Sequence, residues 1–283
     1  MTPAANTGPA IVVGVDGSVA ASRAAVWAID EAISRDIPLR LVAVPERTED
    51  AVDAPGDGTG EARSAVQAAA AAVRAEGRPV RLQTEVVSGA PTLVLLEASR
   101  TAAMICVGAL GLRHFGHHRV GSTSVALVGS AHCPVAVVRG SGRAAGWVVV
   151  ELDDTPEAAT VLQSGVAQAR LRSAPLRVLG AWQSRSGDSP DGAAVAEGNR
   201  MLGAQLDRRL SQWRHRYPDL DVAPVAVHGS ALGYVTEHVA DIQLVVVGAR
   251  NATGVGELFG PTGLATLHDT DCSVLVVDPQ RLL

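Results

Sequence analysis

The fold is decided by a stretch that occurs twice in the chain, GSTSVALVGSAHCPVAVV at 121–138 and GPTGLATLHDTDCSVLVV at 260–277. Aligned without gaps, the two copies are identical at 7 of 18 positions. They lie about half a chain length apart, which indicates a tandem duplication. Residues 140–146, GSGRAAG, have the composition of a linker. We therefore predict two domains, at 1–142 and 143–283.

In both halves of the chain, short apolar runs alternate with longer segments whose apolar residues recur with the 3.6-residue period of a helix. The alternation is typical of βαβ units and a parallel sheet. Predicted strands lie at 11–15, 39–44, 81–87, 104–107 and 135–138, and again at 147–152, 176–181, 222–227, 244–247 and 274–277. Predicted helices of the first half lie at 20–34, 61–75, 91–99 and 123–130. Right-handed crossovers then give an α/β fold of two tandem doubly wound domains.

Composition excludes several classes of protein. The 24 basic residues are all arginine, which excludes a Walker A loop and Schiff-base or pyridoxal chemistry, because each needs a lysine. A net charge of -5 gives no basic field for nucleic acid. Three cysteines are too few and too scattered for a disulfide framework or a CxxC metal site. We find no signal peptide and no membrane span in the sequence, and expect a cytoplasmic protein.

Ligands of open α/β sheets bind beyond the carboxyl ends of the strands, so those segments carry the candidate site. The first strand ends in VGVDGS at 13–18, and the fourth is followed by Gly108, Gly111 and then Gly121-Ser122 at the start of a helix. We expect Ser122 to cap that helix and the amides of its first turn to form an anion site suited to phosphate. The alternative, that the glycines serve only the strand-to-helix connection, remains open.

These residues resemble the universal stress protein family, in its tandem-domain, ATP-binding branch. The resemblance rests on Gly-x2-Gly-x9-Gly-Ser from Gly108, on VGVDGS, and on CPVAVV at 133–138. It implies a five-stranded parallel sheet of order 3-2-1-4-5 in each domain, binding of adenine nucleotide, and dimer-like pairing through the last strands, within the chain or between chains. We expect ATP with Mg²⁺ as the ligand and a homodimer. The residues it assigns to the nucleotide are Gly14, Val15 and Asp16 at the ribose or adenine, Ala43 and Val44 beside adenine, Val107, Gly108 and Gly111 along the ligand, and Gly121, Ser122, Thr123 and Ser124 at the phosphates.

The second half keeps part of this pattern. The residues that match are Asp153, Gly248, Gly260 and Thr262. Asn251 stands at the second glycine, where we expect it to take a left-handed turn. Pro261 replaces the serine and lacks both an amide hydrogen and a hydroxyl, while Asp154 adds a negative charge. The sequence leaves open whether this half binds nucleotide.

Two classes of function remain. The first is an ATP-binding stress or dormancy regulator that acts on an unknown protein partner, and the second is a nucleotide-independent scaffold. We predict no catalytic residues, because Ser130 and His132 lack the G-x-S-x-G elbow, and at most slow ATP hydrolysis. We also predict no metal site in the protein itself. The three histidines that follow Gly111 have no cysteine or carboxylate beside them, and we expect them to lend positive potential. They are His114, His117 and His118.

Overall fold

The computed structural model describes residues 8–45, 58–109, 121–140, 146–184, 191–268 and 270–278. These residues form two compact units, and the chain passes from the first unit to the second between residues 140 and 146.

The first unit is a parallel sheet with helices between successive strands. Its strands are β1 (Ile11–Val15), β2 (Leu39–Ala43), β3 (Leu82–Val86), β4 (Met104–Gly108) and β5 (Val135–Val138). Its helices are α1 (Val19–Ser34), α2 (Thr59–Ala75), α3 (Pro91–Ala98) and α4 (Ser122–Ser130). The strand order is β3-β2-β1-β4-β5, which confirms the predicted order.

The second unit repeats this order as β8-β7-β6-β9-β10, again all parallel. Its strands are β6 (Trp147–Leu152), β7 (Leu176–Trp182), β8 (Val222–His228), β9 (Ile242–Gly248) and β10 (Ser273–Val277). Its helices are α5 (Ala158–Leu171), α6 (Gly192–Arg216), α7 (Ala231–His238), α8 (Ala252–Phe259) and α9 (Pro261–Leu267), with a 3-10 turn at Val239–Asp241. Two helices therefore lie between β9 and β10, where a loop and one helix were expected.

The strands are apolar because helices cover both faces of a doubly wound sheet. In β1, for example, Ile11, Val12 and Val13 are almost completely buried. Alanines line the sheet-facing side of α1, and Ala24 and Ala25 are fully buried. Small side chains let the helix lie close to the sheet, so the aliphatic composition suffices to fill the core.

The register brings the ends of β1, β2 and β4 to one level. Val15 pairs with Ala43, and Val13 pairs with Cys106. The residues that follow these strands therefore share one edge, the carboxyl edge of the first unit. None of the helices in the described part of the chain is long and apolar enough to cross a membrane.

Candidate functional site

Asp16 leaves β1 in a tight turn at the carboxyl edge of the first unit. Its Oδ1 accepts a hydrogen bond from the Ser18 amide at 2.9 Å, and the Ser18 hydroxyl oxygen accepts one from the Ala21 amide at 3.0 Å, capping α1. Gly17 between them has a φ of 88°, which only glycine adopts readily. The turn thus holds an exposed carboxylate at the end of the central strand.

The neighbouring strand β2 supplies an apolar wall. Ala43 is buried and Val44 half-buried. The Val87 amide donates to the Ala43 carbonyl at 2.9 Å, which extends the β2–β3 pairing to this edge. Of these two side chains, only Val44 is accessible at this edge.

Helix α4 begins at the same edge, but Ser122 does not cap it. Gly121 is the N-cap, with φ -64° and ψ 141°, and within the described residues no side chain bonds to this helix end. The Gly121 carbonyl accepts from the Ser124 and Val125 amides at 3.0 and 3.3 Å, so Ser122 becomes the first helical residue, with an exposed side chain. The prediction that Ser122 caps the helix was wrong. The first amides of α4 therefore have no capping side chain to neutralise the positive end of the helix dipole.

The two residues that follow Ser122 differ in their contacts. Ser124 is 3% exposed, and its hydroxyl donates to the Gly108 carbonyl at 3.1 Å, which fastens α4 to β4. Its assignment to the phosphates therefore conflicts with the structure, because the hydroxyl is buried and used within the protein. Thr123 is half-buried, with its hydroxyl oxygen 3.5 Å from that of Thr92 on α3.

The glycines of the first unit fall into two kinds. A methyl group at Gly108 would lie 2.7 Å from the carbonyl carbon of Ala20, and one at Gly14 would lie 2.8 Å from Leu95 Cδ1. Close packing inside the unit thus explains why both positions are glycine. Among the described residues, a methyl group at Gly121 would meet nothing nearer than the Ser124 hydroxyl at 3.8 Å. Val107 is buried in β4. Gly111 and the three histidines of the glycine series lie outside the described residues.

In the second unit the turn after the central strand is retained. Asp153 Oδ1 accepts from the Thr155 amide at 3.1 Å and from its hydroxyl at 2.6 Å, as Asp16 accepts from Ser18. Two residues before it, however, Glu151 occupies the position that Gly14 has in the first unit. Asp154 is exposed and lies 3.5 Å from an Arg209 nitrogen.

Asn251 does not adopt a left-handed turn. Its φ is -71°, and its side-chain oxygen accepts from the Gly254 amide at 2.8 Å, so that it caps α8. The predicted conformation was wrong because capping satisfies an otherwise unpaired helix amide. The residues expected to form a ligand loop form a helix instead.

Helix α8 packs closely against the start of α9. A methyl group at Gly260 would lie 2.5 Å from the Gly256 carbonyl oxygen, and one at Gly263 would lie 2.6 Å from the Leu258 backbone. Thr262 is exposed, and Gly248 is buried at the end of β9. The backbone of α8, including the Gly256 carbonyl oxygen, thus occupies the space beside the start of α9.

Glu151 is the most perturbed acid of the second unit. It is 9% exposed, and burial raises its pKa from 4.5 to about 7. A hydrogen bond from the Asn251 side chain lowers the pKa, whereas the charges of Glu257 and Asp153 raise it. Glu257 itself accepts from the Leu232 amide at 3.3 Å, at the start of α7. Among the described residues, no cluster of three His, Cys, Asp or Glu side chains is placed to hold a metal.

The sequence model of the universal stress protein family matches the chain twice, at residues 9–139 and 147–278. The chain belongs to the universal stress protein family. Universal stress protein Rv2028c of Mycobacterium tuberculosis is 43% identical over 281 residues, covering 97% of this chain and 98% of that protein. Universal stress protein Rv2624c of the same organism is 38% identical over 271 residues, covering 94% and 95%.

Solved structures show the same fold. A universal stress protein from Archaeoglobus fulgidus superposes with a TM-score of 0.66 at 15% identity, covering 96% of this chain and 98% of that one. One from Pseudomonas aeruginosa gives a TM-score of 0.61 at 17% identity, covering 96% and 94%. At these identities the likeness concerns the fold alone.

Sequence reasoning overlooked two features of the second universal stress protein domain. Glu151 interrupts the apolar run VVVEL at 148–152, and this signal was available in the sequence. The Ser184 hydroxyl lies 2.9 Å from His228 Nε2, at the ends of β7 and β8. Their separation of 44 residues gives no pattern from which this contact follows.

Proposed function

We propose that the first unit binds ATP together with Mg²⁺ and that the chain acts as a nucleotide-dependent stress or dormancy regulator. The observation that supports this most directly is the start of α4, which lies at the same carboxyl edge as Asp16 and, among the described residues, has no side chain bonded to its first amides. Backbone amides and the helix dipole stabilise phosphate without any lysine, and this chain has none.

Each part of the nucleotide has a partner in this proposal. The amides and exposed hydroxyl at Ser122, with Thr123, hold the phosphates, and Asp16 accepts from the ribose or adenine. Ala43 and Val44 contact the adenine ring. Mg²⁺ would neutralise phosphate charge and would be held chiefly by phosphate oxygens and water. Ser124 does not contact the phosphates in this proposal, because its hydroxyl donates a hydrogen bond to the Gly108 carbonyl.

The second unit is proposed not to bind nucleotide. Glu151 places a carboxyl where the first unit has Gly14, and α8 places carbonyl oxygens at the start of α9. The backbone of α8 removes space at the start of α9, and its carbonyl oxygens are acceptors where a phosphate needs donors. In this proposal the residues of the second half that match the family pattern serve only the fold. They are Asp153, Gly248, Gly260 and Thr262.

The test is to measure bound and released nucleotide with the full chain. Denaturing the purified protein and separating the released nucleotides by chromatography is expected to yield adenine nucleotide. Calorimetric titration with ATP and Mg²⁺ is expected to give one site per chain. Two sites would contradict the proposal for the second unit, and no adenine nucleotide in either experiment would contradict the regulator.

The alternative is a scaffold that uses no nucleotide. Gly14 and Gly108 favour the scaffold, because the close packing of Leu95 and Ala20 explains why these two positions are glycine without any ligand. Gly121 distinguishes the two functions, because packing against the described residues does not account for it.

We further propose that the protein acts in the cytoplasm as a homodimer and presents a nucleotide-dependent surface to a protein partner. Sedimentation equilibrium is expected to give twice the chain mass of 29.1 kDa. A monomer mass at all concentrations would contradict the dimer.

A further inference from the structure

Helix α8 covers a buried carboxyl. The space beneath it lies between β6, β7, β9 and α7, and among its lining residues Val149, Leu179 and Val235 are apolar and buried. Glu151 points into this space from β6, and a methyl group at Gly254 of α8 would lie 2.8 Å from its carboxyl carbon. The helix and the carboxyl are thus in direct contact.

One side chain connects Glu151 to the start of α8. The Asn251 amide oxygen accepts from the Gly254 amide, and the Asn251 side chain also hydrogen-bonds to Glu151. The cap of α8 and the carboxyl therefore share a partner. A change at Glu151 is transmitted to the first turn of the helix.

The charges that face Glu151 are all negative. Asp153 lies on the turn that follows its own strand, and Glu257 faces it from α8. The residues that β7, β9 and α7 present to this space carry no charge. Glu257 accepts a hydrogen bond from the Leu232 amide at 3.3 Å, at the start of α7. An ionised Glu151 would be a second negative charge in an apolar space.

We propose that α8 is a proton-dependent lid of the second unit, which packs over β6 while Glu151 carries its proton and opens when this carboxyl ionises. Opening lets water reach the carboxylate, relieves its repulsion by Glu257 and uncovers the apolar surface beneath α8. No covalent step is involved, since a single proton leaves Glu151 for solvent.

The direction of the response follows from the two states. The closed form holds the proton up to about pH 7, whereas in the open form the carboxyl titrates near its ordinary value of 4.5. Opening is therefore expected to increase about tenfold for each pH unit between roughly 5 and 7, and to level off above that range.

Hydrogen exchange of the intact protein tests the lid. Protection factors of the α8 amides, corrected for the intrinsic pH dependence of exchange, are expected to fall from pH 5 to pH 7, while those of α4 in the first unit stay constant. The variant Glu151→Gln, which cannot ionise, is expected to keep α8 protected at every pH. Glu237→Gln, which removes an exposed carboxylate from α7, is the matched control and is expected to behave as wild type.

A second variant keeps the test decisive if Glu151→Gln does not fold. Glu257→Gln retains an oxygen for the Leu232 amide but removes the facing charge, and it is expected to move the midpoint of the α8 response to lower pH. Protection of wild-type α8 that does not change with pH would overturn the proposal, as would an unchanged midpoint in Glu257→Gln. No nucleotide takes part, so this result is separate from that of the ATP titration.

Discussion

Asp16 and Asp153 make the same turn in the two units, and they therefore provide a matched pair. Each carboxylate accepts from the amide two residues later. Asparagine keeps that oxygen and changes only the charge and the second oxygen, so the turn is retained. Comparing the same substitution at the two positions therefore distinguishes an effect on ligand binding from an effect on the turn.

We predict that Asp16→Asn weakens ATP binding and that Asp153→Asn does not. Loss of the acceptor for ribose or adenine is expected to cost about 1 to 3 kcal/mol of binding free energy. Calorimetric titration of both variants measures this, with thermal unfolding in the absence of nucleotide as the control for the fold. Equal losses in the two variants would contradict a site confined to the first unit.

The second prediction at the residue scale concerns Gly121 and Gly108. Gly121→Val is expected to weaken ATP binding roughly tenfold or more while leaving unfolding without nucleotide nearly unchanged, because among the described residues a Cβ at this position would meet nothing nearer than the Ser124 hydroxyl at 3.8 Å. Gly108→Ala is expected to lower the free energy of unfolding, since its methyl group would lie 2.7 Å from the Ala20 backbone. Urea unfolding and titration distinguish the two effects. A Gly121→Val protein with wild-type affinity would favour the scaffold.

At the scale of elements, periodicity and apolar runs predicted most of the fold. Strands β1, β5 and β6 have the predicted bounds, and most other predicted elements differ by one or two residues. The exception is α8, whose sequence ATGVGELF contains two glycines and has weak helix propensity. Its stability comes from the Asn251 cap and from packing against α9, which a local pattern does not show.

The candidate site was predicted less completely than the fold. Asp16, Ala43 and Gly121 lie at one edge because parallel strands end together, which topology alone implies. The hydroxyl of Ser124 was assigned to a ligand because sequence does not distinguish an exposed serine from one that bonds to a neighbouring strand. Burial decides this, and burial depends on the tertiary structure.

The prediction at the scale of elements concerns the packing of helix α8 against α9. Gly263 replaces Ser124 in the aligned repeat, and its lack of a side chain admits the backbone of Leu258. Gly263→Ser is therefore expected to displace α8 and to lower the free energy of unfolding by about 1 to 3 kcal/mol. Urea unfolding measures the loss, and hydrogen exchange shows whether it is located in α8. The reverse change in the first unit, Ser124→Gly, removes one hydrogen bond and is expected to leave α8 unaffected.

At the scale of the whole molecule, Glu151 makes stability depend on pH. Its pKa is raised in the folded state, so its contribution is fully present below pH 4.5, falls as the pH rises and is lost at about pH 7. The loss is at most about 3 kcal/mol, because opening of α8 relieves part of the penalty. Urea unfolding at pH 5 and pH 7.5 is expected to show this decrease in wild type and a smaller one in Glu151→Gln. Equal decreases would assign the effect to other groups.

Because helix α8 lies in the second unit, the stabilities of the two units are expected to respond differently to the cellular ATP concentration. In the proposed scheme, ATP binds only the folded first unit and stabilises it by about 2.7 kcal/mol at a hundredfold excess over the dissociation constant. In the second unit α8 covers the corresponding edge, so its stability takes no contribution from the nucleotide concentration. When ATP falls, the first unit loosens and the second keeps its structure. One half of the chain would then respond to energy depletion, and the other half would respond to pH without any contribution from nucleotide.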